Sequence, residues 1–295
     1  MAGKRNELLS PEFLGRLERL SLLARRPVQG WAAGQRRSRR PGRSVEFCDY
    51  RAYGVGDDLR YVDWNVFGRS DRLYVKLFVD DEDLCLHLLV DASASMDFGE
   101  PSKLDWACRV AASLGFVGLA GLERVGLGVL RERVSEGRPP ARGKTQITPM
   151  FDFLAGVRGG GHTNLNDSLA SYAGRSRASG MVVLISDLMD PAGYAAGLSA
   201  LLERRLEVHV IHVLSPEELE PAFNGDLRLI DHETGETRPM RVDAEVLNHY
   251  RERLQRFLQD AEAFCAAHAI GYHRASSDMP LEQFVFGPLR GRLLA

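Results

Sequence analysis

Asp91-Ala92-Ser93-Ala94-Ser95 sets one carboxylate and two hydroxyls at alternate positions along a stretch of small residues. It follows Leu84-Cys85-Leu86-His87-Leu88-Leu89-Val90 directly, an apolar run of the length and kind that forms a buried strand. Oxygen donors on one tight loop suit a small hard cation, which keeps further positions for water or for another carboxylate. The same residues also suit a capped turn, in which Asp91 or Ser93 accepts from the amides at a helix start. The choice depends on what other loops bring to the same place.

Those loops follow from the pattern of elements. Strands are expected at 84–90, 124–130, 180–186, 206–214 and 270–274. Helices are expected at 102–122, 148–157, 164–177, 192–205, 244–267 and 281–289. This alternation predicts an α/β fold: a doubly wound, mostly parallel sheet with helices on both faces. Segments 226–230 and 237–242 flank Asp231-His232-Glu233-Thr234-Gly235-Glu236 as a small inserted hairpin. Upstream, 11–26 reads as an amphipathic helix with Pro11 in its first turn, 30–43 as a Gly/Arg-rich loop, 45–63 as turn-rich, and 72–79 as a strand. The expected division is an N-terminal strand and loop segment, 1–79, and a main α/β domain, 80–295.

In open parallel sheets, ligands bind beyond the carboxyl ends of the strands. After the first core strand comes Asp91-x-Ser93-x-Ser95; before the helix at 164 comes Gly159-Gly160-Gly161-His162-Thr163; after the strand ending at Ser186 comes Asp187. Converging on one edge, these loops offer Asp91, Ser93, Ser95, Thr163 and Asp187, all oxygen donors. The three glycines let their loop come close.

This set resembles the metal-ion-dependent adhesion site of von Willebrand factor A domains. The resemblance implies that Ser93, Ser95 and Thr163 supply hydroxyls while Asp91 and Asp187 bind directly or through water. It implies Mg²⁺, with other divalent cations possible, and an open position for an acidic residue of a partner protein. Further upstream, Arg36-Arg37-Ser38, Gly42-Arg43-Ser44-Val45-Glu46-Phe47 and Arg51-Ala52-Tyr53-Gly54-Val55-Gly56-Asp57-Asp58-Leu59-Arg60-Tyr61-Val62-Asp63-Trp64-Asn65 are similar to the signature of the domain of unknown function 58 family. There the signature precedes a von Willebrand A-like domain, and the 231–236 hairpin also resembles a family feature. The resemblance implies work alongside a MoxR-type AAA+ ATPase that matures or remodels a client, and a member of the kind without membrane helices. Within the signature, Asp57 and Asp58 are expected to face Arg51, Arg60 and Arg69. Such pairs either fix the geometry of the segment or form a docking surface.

Composition excludes little. Of 295 residues, 44% are hydrophobic and 26% charged, ordinary for a globular chain, and the net charge of −2 favours no class of partner. The first 44 residues are nevertheless basic, with the arginines of 36–43 read as a solvated or partner-facing loop and not as a nucleic-acid site, since no aromatic interleaving accompanies them. Cys48, Cys85, Cys108 and Cys265 show neither pairing nor zinc spacing, which points to a reducing, cytoplasmic setting. No signal-peptide core and no apolar run of spanning length is present in the sequence. Gly143-Lys144-Thr145 fails as a phosphate loop: Arg138 stands where a glycine is needed, and no strand is expected just before it. A metal-dependent hydrolase or phosphotransfer enzyme using Asp91 is the rival reading, weakened because Ser93 holds the place of a second aspartate. The expectation is a non-catalytic, Mg²⁺-dependent adaptor.

Overall fold

The computed structural model describes residues 8–23, 46–79, 84–131, 134–176, 180–221, 225–230 and 237–295. The arginine run at 36–43, the acidic break at 80–83 and the hairpin loop at 231–236 lie outside the described residues. In chain order the elements are α1 (Pro11–Leu17), β1 (Glu46–Ala52), α2 (Trp64–Ser70), β2 (Tyr74–Val79), β3 (Cys85–Asp91), α3 (Lys103–Ala120), β4 (Arg124–Leu130) and β5 (Val134–Arg142). There follow α4 (Ile147–Gly156), α5 (Leu165–Arg175), β6 (Gly180–Ser186), α6 (Ala195–Glu203), β7 (Glu207–Leu214), α7 (Pro216–Leu219), β8 (Gly225–Ile230), β9 (Thr237–Val242), α8 (Ala244–Ala267), β10 (Gly271–Ser276) and α9 (Leu281–Phe286). The chain forms two compact units, Arg26–Asp83 and the remainder.

The larger unit is built on a six-stranded sheet of order β10-β7-β6-β3-β4-β5. All neighbours pair in parallel except β5, which runs antiparallel to β4. Every residue of β3 is buried, as expected of a strand covered on both faces. Its alternate side chains divide between two cores. Leu86, Leu88 and Val90 pack with Phe13 and Leu17 of α1, Val110 and Leu114 of α3, Met150 and Leu154 of α4, and Phe284 of α9. Leu89 packs on the other side with Leu165 and Leu169 of α5, Leu198 and Leu201 of α6, and Ala261 and Cys265 of α8. The expected α/β architecture, with helices on both faces of a mostly parallel sheet, is what forms.

Several details differ from the sequence reading. The first helix ends at Leu17, not at 26, because Leu22 bridges to Leu294 and the Leu23 amide donates to the Leu293 carbonyl, drawing the chain out into an extended path. With Leu17 wholly buried in the main core, residues 8–23 belong to the larger unit, which corrects the 1–79 boundary. Strand β5 was not expected, since Pro139 and Pro140 lie within it; an edge position tolerates residues that cannot donate. Gly143-Lys144-Thr145 therefore does follow a strand, but an antiparallel edge strand, and Arg138 still breaks the phosphate-loop pattern. No helix among the described residues is long and apolar enough to cross a membrane.

In the smaller unit the segment read as turn-rich contains β1, which pairs antiparallel with β2. Asp63 anchors this unit. One oxygen caps α2 by accepting from the Asn65 and Val66 amides at 2.9 and 3.2 Å; the other accepts from Tyr50 at 2.9 Å and pairs with Lys76 at 3.0 Å. Lys76 and Tyr50 hold its carboxyl at about 2. Arg51 pairs with Asp57 at 2.8 Å and Arg60 with Asp58 at 2.5 Å, as expected, whereas Arg69 has no ion pair among the described residues. Pairs between residues this near in sequence fix the shape of the segment itself.

Gly271 of β10 stands opposite His209 of β7, whose ring is stacked on His273 with centroids 5.6 Å apart. A Cβ at 271 would lie 2.1 Å from His209 Nδ1, and a stacked, buried ring has nowhere to go. Gly271→Ala is expected to lower stability by about 2 kcal/mol, read as a reduced urea midpoint; an unchanged midpoint contradicts this account of the β7–β10 packing.

Candidate metal-binding site

The three loops singled out by sequence meet at the carboxyl edge of the sheet. Asp91 ends β3 and Asp187 follows β6, and these two strands are neighbours. The glycine loop is tied to the first loop by two backbone hydrogen bonds, Gly160 N–H to the Ala92 carbonyl and Ala94 N–H to the Gly161 carbonyl, both 3.0 Å. Gly160 and Gly161 adopt φ of 146° and 75°, which only glycine adopts easily, and a Cβ at Gly159 would lie 2.8 Å from that of Asp97. The close approach expected of these glycines is thus the means by which Thr163 reaches Asp91.

Asp91 is 2% exposed, and both of its carboxylate oxygens accept hydrogen bonds. Its Oδ1 accepts from the Ser93 amide and the Thr163 hydroxyl, both at 3.0 Å, and its Oδ2 accepts from the Ser186 hydroxyl at 2.6 Å. The Ser93 and Ser95 hydroxyl oxygens are 3.0 Å apart. Asp187, also buried, accepts the Met189 amide on Oδ1 at 3.0 Å and the Lys103 ammonium on Oδ2 at 2.7 Å. Leu188, between them in sequence, takes a left-handed φ of 56°, a strained conformation for a branched side chain and a mark of a loop held by its surroundings. Hydrogen bonds thus join Asp91 to Thr163 and to the Ser93–Ser95 loop, while Asp187 stands at the end of the neighbouring strand, close enough for its charge to act on Asp91.

Three more were not expected. Ser186 orients Asp91 and accepts the Leu188 amide at 2.9 Å. Lys103 is completely buried and also donates to Glu218 Oε1 at 2.5 Å. Glu218 in turn closes a capping box with Ser215 at the start of α7. Of these only Glu218 carried a readable signal, the Ser215-x-x-Glu218 spacing. On the strand beside Asp187, His212 pairs in register with Ser186, and burial lowers its pKa to about 4, leaving it neutral.

The donor set is two carboxylates and three hydroxyls. Among the described residues no group of three or more His, Cys, Asp or Glu is placed to hold a metal, so an all-acidic cage is absent. Few charges and several neutral oxygens fit Mg²⁺, which retains waters and takes one or two carboxylates. A hydroxyl that gives its proton to Asp91, as Thr163 does, leaves its lone pairs available to a cation.

The molecule is thus a doubly wound α/β protein with a carboxylate–hydroxyl cluster at the carboxyl edge of its sheet. The chain belongs to the family described as Protein of unknown function DUF58, which matches residues 49–261. It is 32% identical over 249 residues to uncharacterized proteins of Mycobacterium bovis and Mycobacterium tuberculosis, covering 81% of this chain and 77% of each relative. Among solved structures it is similar to the conserved hypothetical protein BatB of Bacteroides thetaiotaomicron, at 15% identity and a TM-score of 0.42 over 65% of this chain and 90% of that one. It is also similar to an aerotolerance-related membrane protein of Bacteroides fragilis, at 17% identity and a TM-score of 0.41 over 70% of this chain and 98% of that one.

Burial, with the charge of Asp187 behind it, raises the Asp91 pKa to about 6. A carboxyl that holds its proton more tightly when folded makes the folded state bind more protons than the unfolded one between about pH 4 and 6. Stability therefore falls as pH rises through that window, and the whole penalty is present above it. Asp91→Asn keeps the shape without the charge and is expected to stabilise the protein in chelator at pH 8 by about 1–2 kcal/mol, a gain that disappears toward pH 4. Urea titrations at both pH values check this; an Asn variant less stable than wild type at pH 8 contradicts it.

Proposed function

We propose that this chain is a non-catalytic, divalent-cation-dependent binding protein with a von Willebrand A-like main unit. Its task is to hold an acidic group of another protein at the carboxyl edge of the sheet. The observation that carries this reading is the meeting of Asp91, Ser93, Ser95, Thr163 and Asp187 on three neighbouring loops, with Thr163 and Ser186 donating to Asp91. These residues would hold Mg²⁺, and the bound ion would supply an open position for a partner's carboxylate.

Enzymatic use of Asp91 has less support. Its oxygens are engaged by three donors, and Ser93 stands where a phosphate-transfer enzyme would need a second acid. Two clefts of about 400 and 390 Å³ lie elsewhere, one lined by residues such as Phe13, Trp106 and Met279, the other by Met189, Tyr250, Arg253, Leu254 and Phe257. Neither of these two is lined by any of the five cluster residues. The partner we assign, following the family resemblance, is a MoxR-type AAA+ ATPase acting on a client. The setting we assign is the cytoplasm, in keeping with the buried free thiols of Cys85, Cys108 and Cys265.

Isothermal titration of Mg²⁺ into wild type and Thr163→Ala is the direct test, paired with capture of a purified MoxR-type ATPase from the same organism with and without chelator. Thr163→Ala is expected to weaken Mg²⁺ binding by ~10-fold or more and, like chelator, to abolish capture. Capture that is indifferent to both, or Mg²⁺-dependent turnover of phosphoesters lost in Asp91→Ala, would falsify the adaptor reading.

A further inference from the structure

Lys103 occupies a place where a lysine is disfavoured twice over. It is fully buried, which lysines almost never are without a partner. It is also the first residue of α3, directly after the Ser102 cap, where the helix dipole opposes a positive charge. What holds it there is a pair of carboxylates: Asp187 at 2.7 Å and Glu218 at 2.5 Å. Burial works against the charged ammonium, but Asp187 and Glu218 outweigh it and keep Lys103 protonated. Glu218 is not free to follow the lysine, because its Oε2 accepts the Ser215 amide at 2.8 Å. The ammonium is therefore fixed between one carboxylate of the candidate metal site and one outside it.

We propose that Lys103 is a built-in counter-cation that competes with a divalent ion for Asp187, and that Glu218 sets the strength of that competition by drawing the ammonium away. This inference deepens the cation reading above and rests on it. An ion shared by Asp91 and Asp187 must accept an ammonium already bonded to one of its ligands. Two like charges a few ångströms apart in a buried site repel strongly, so the ion alone binds weakly. A partner's carboxylate adds the negative charge that offsets this repulsion, so ion and partner bind best together. The device regulates the site: a cation is retained chiefly when the acidic group it is meant to hold is present.

The test is Mg²⁺ affinity of the full chain by titration calorimetry, with the Mg²⁺-induced shift in melting temperature as a second readout. Three proteins are compared: wild type, Glu218→Gln, and the double variant Lys103→Met/Glu218→Gln, which removes one charge of each sign and so keeps the buried region balanced. The double variant is expected to bind Mg²⁺ at least ~10-fold more tightly than wild type and to gain more in melting temperature from it. Glu218→Gln leaves the ammonium to Asp187 alone and is expected to bind at least ~3-fold more weakly. A lysine that serves only the fold predicts no tightening. Equal or weaker binding by the double variant overturns the proposal. Should that variant fail to fold, Glu218→Gln decides: weaker binding supports the competition, and unchanged or tighter binding overturns it. If none of the three folded proteins takes up Mg²⁺, the cation reading itself falls, and this inference with it.

Discussion

Two buried carboxylates at the ends of adjacent parallel strands are the constraint around which the rest of this protein is arranged. Asp91 and Asp187 carry like charges, and neither is exposed to the water that would otherwise weaken their repulsion. The fold meets that cost locally. Hydroxyls from Thr163 and Ser186, amides from Ser93 and Met189, and one ammonium from Lys103 all aim at the four carboxylate oxygens. These donors come from the loop after β3, the glycine loop, the end of β6 with the loop that follows it, and the start of α3, so the long-range order of the sheet is also the short-range order of the cluster.

That dependence explains why the connecting loops are so closely specified. The glycine loop is held to the first loop by its backbone, and the loop after β6 is held by Asp187 and Asp190 to its own amides. Asp190 further accepts the Leu165 amide at 2.6 Å and so joins the third loop to the start of α5. The smaller unit uses the same device in miniature, with the buried Asp63 joining a helix cap, a tyrosine and a lysine. In both units a single carboxylate serves as the point where separate segments are pinned.

Much of this was legible in the sequence, for physical reasons. Asp91, Ser93, Ser95, Thr163 and Asp187 could be read because each stands beside an apolar strand or a helix start, and parallel sheets bind ligands at that edge. The core strands could be read because burial on both faces makes them continuous apolar runs. What escaped depends on partners distant in sequence. β1 reads as polar and turn-rich because its pairing with β2 is not local, and β5 is masked by its two prolines. Lys103 looks like any solvated lysine at a helix start, and only Asp187 and Glu218, 84 and 115 residues away, make it a buried one. Ser186 reads as the last residue of an apolar strand, with nothing to show that its hydroxyl turns toward Asp91.

The prolines of β5 have one more effect. The outer strand of a sheet is ordinarily an open template, whose unpaired amides invite another chain to add itself. At this margin two successive positions, Pro139 and Pro140, have no N–H to offer, and the pairing with β4 shifts register around them. An incoming strand would find two donors missing at that border, which disfavours continuous edge-to-edge pairing there. The two prolines thus blunt one lateral route to association at the β5 margin of the sheet.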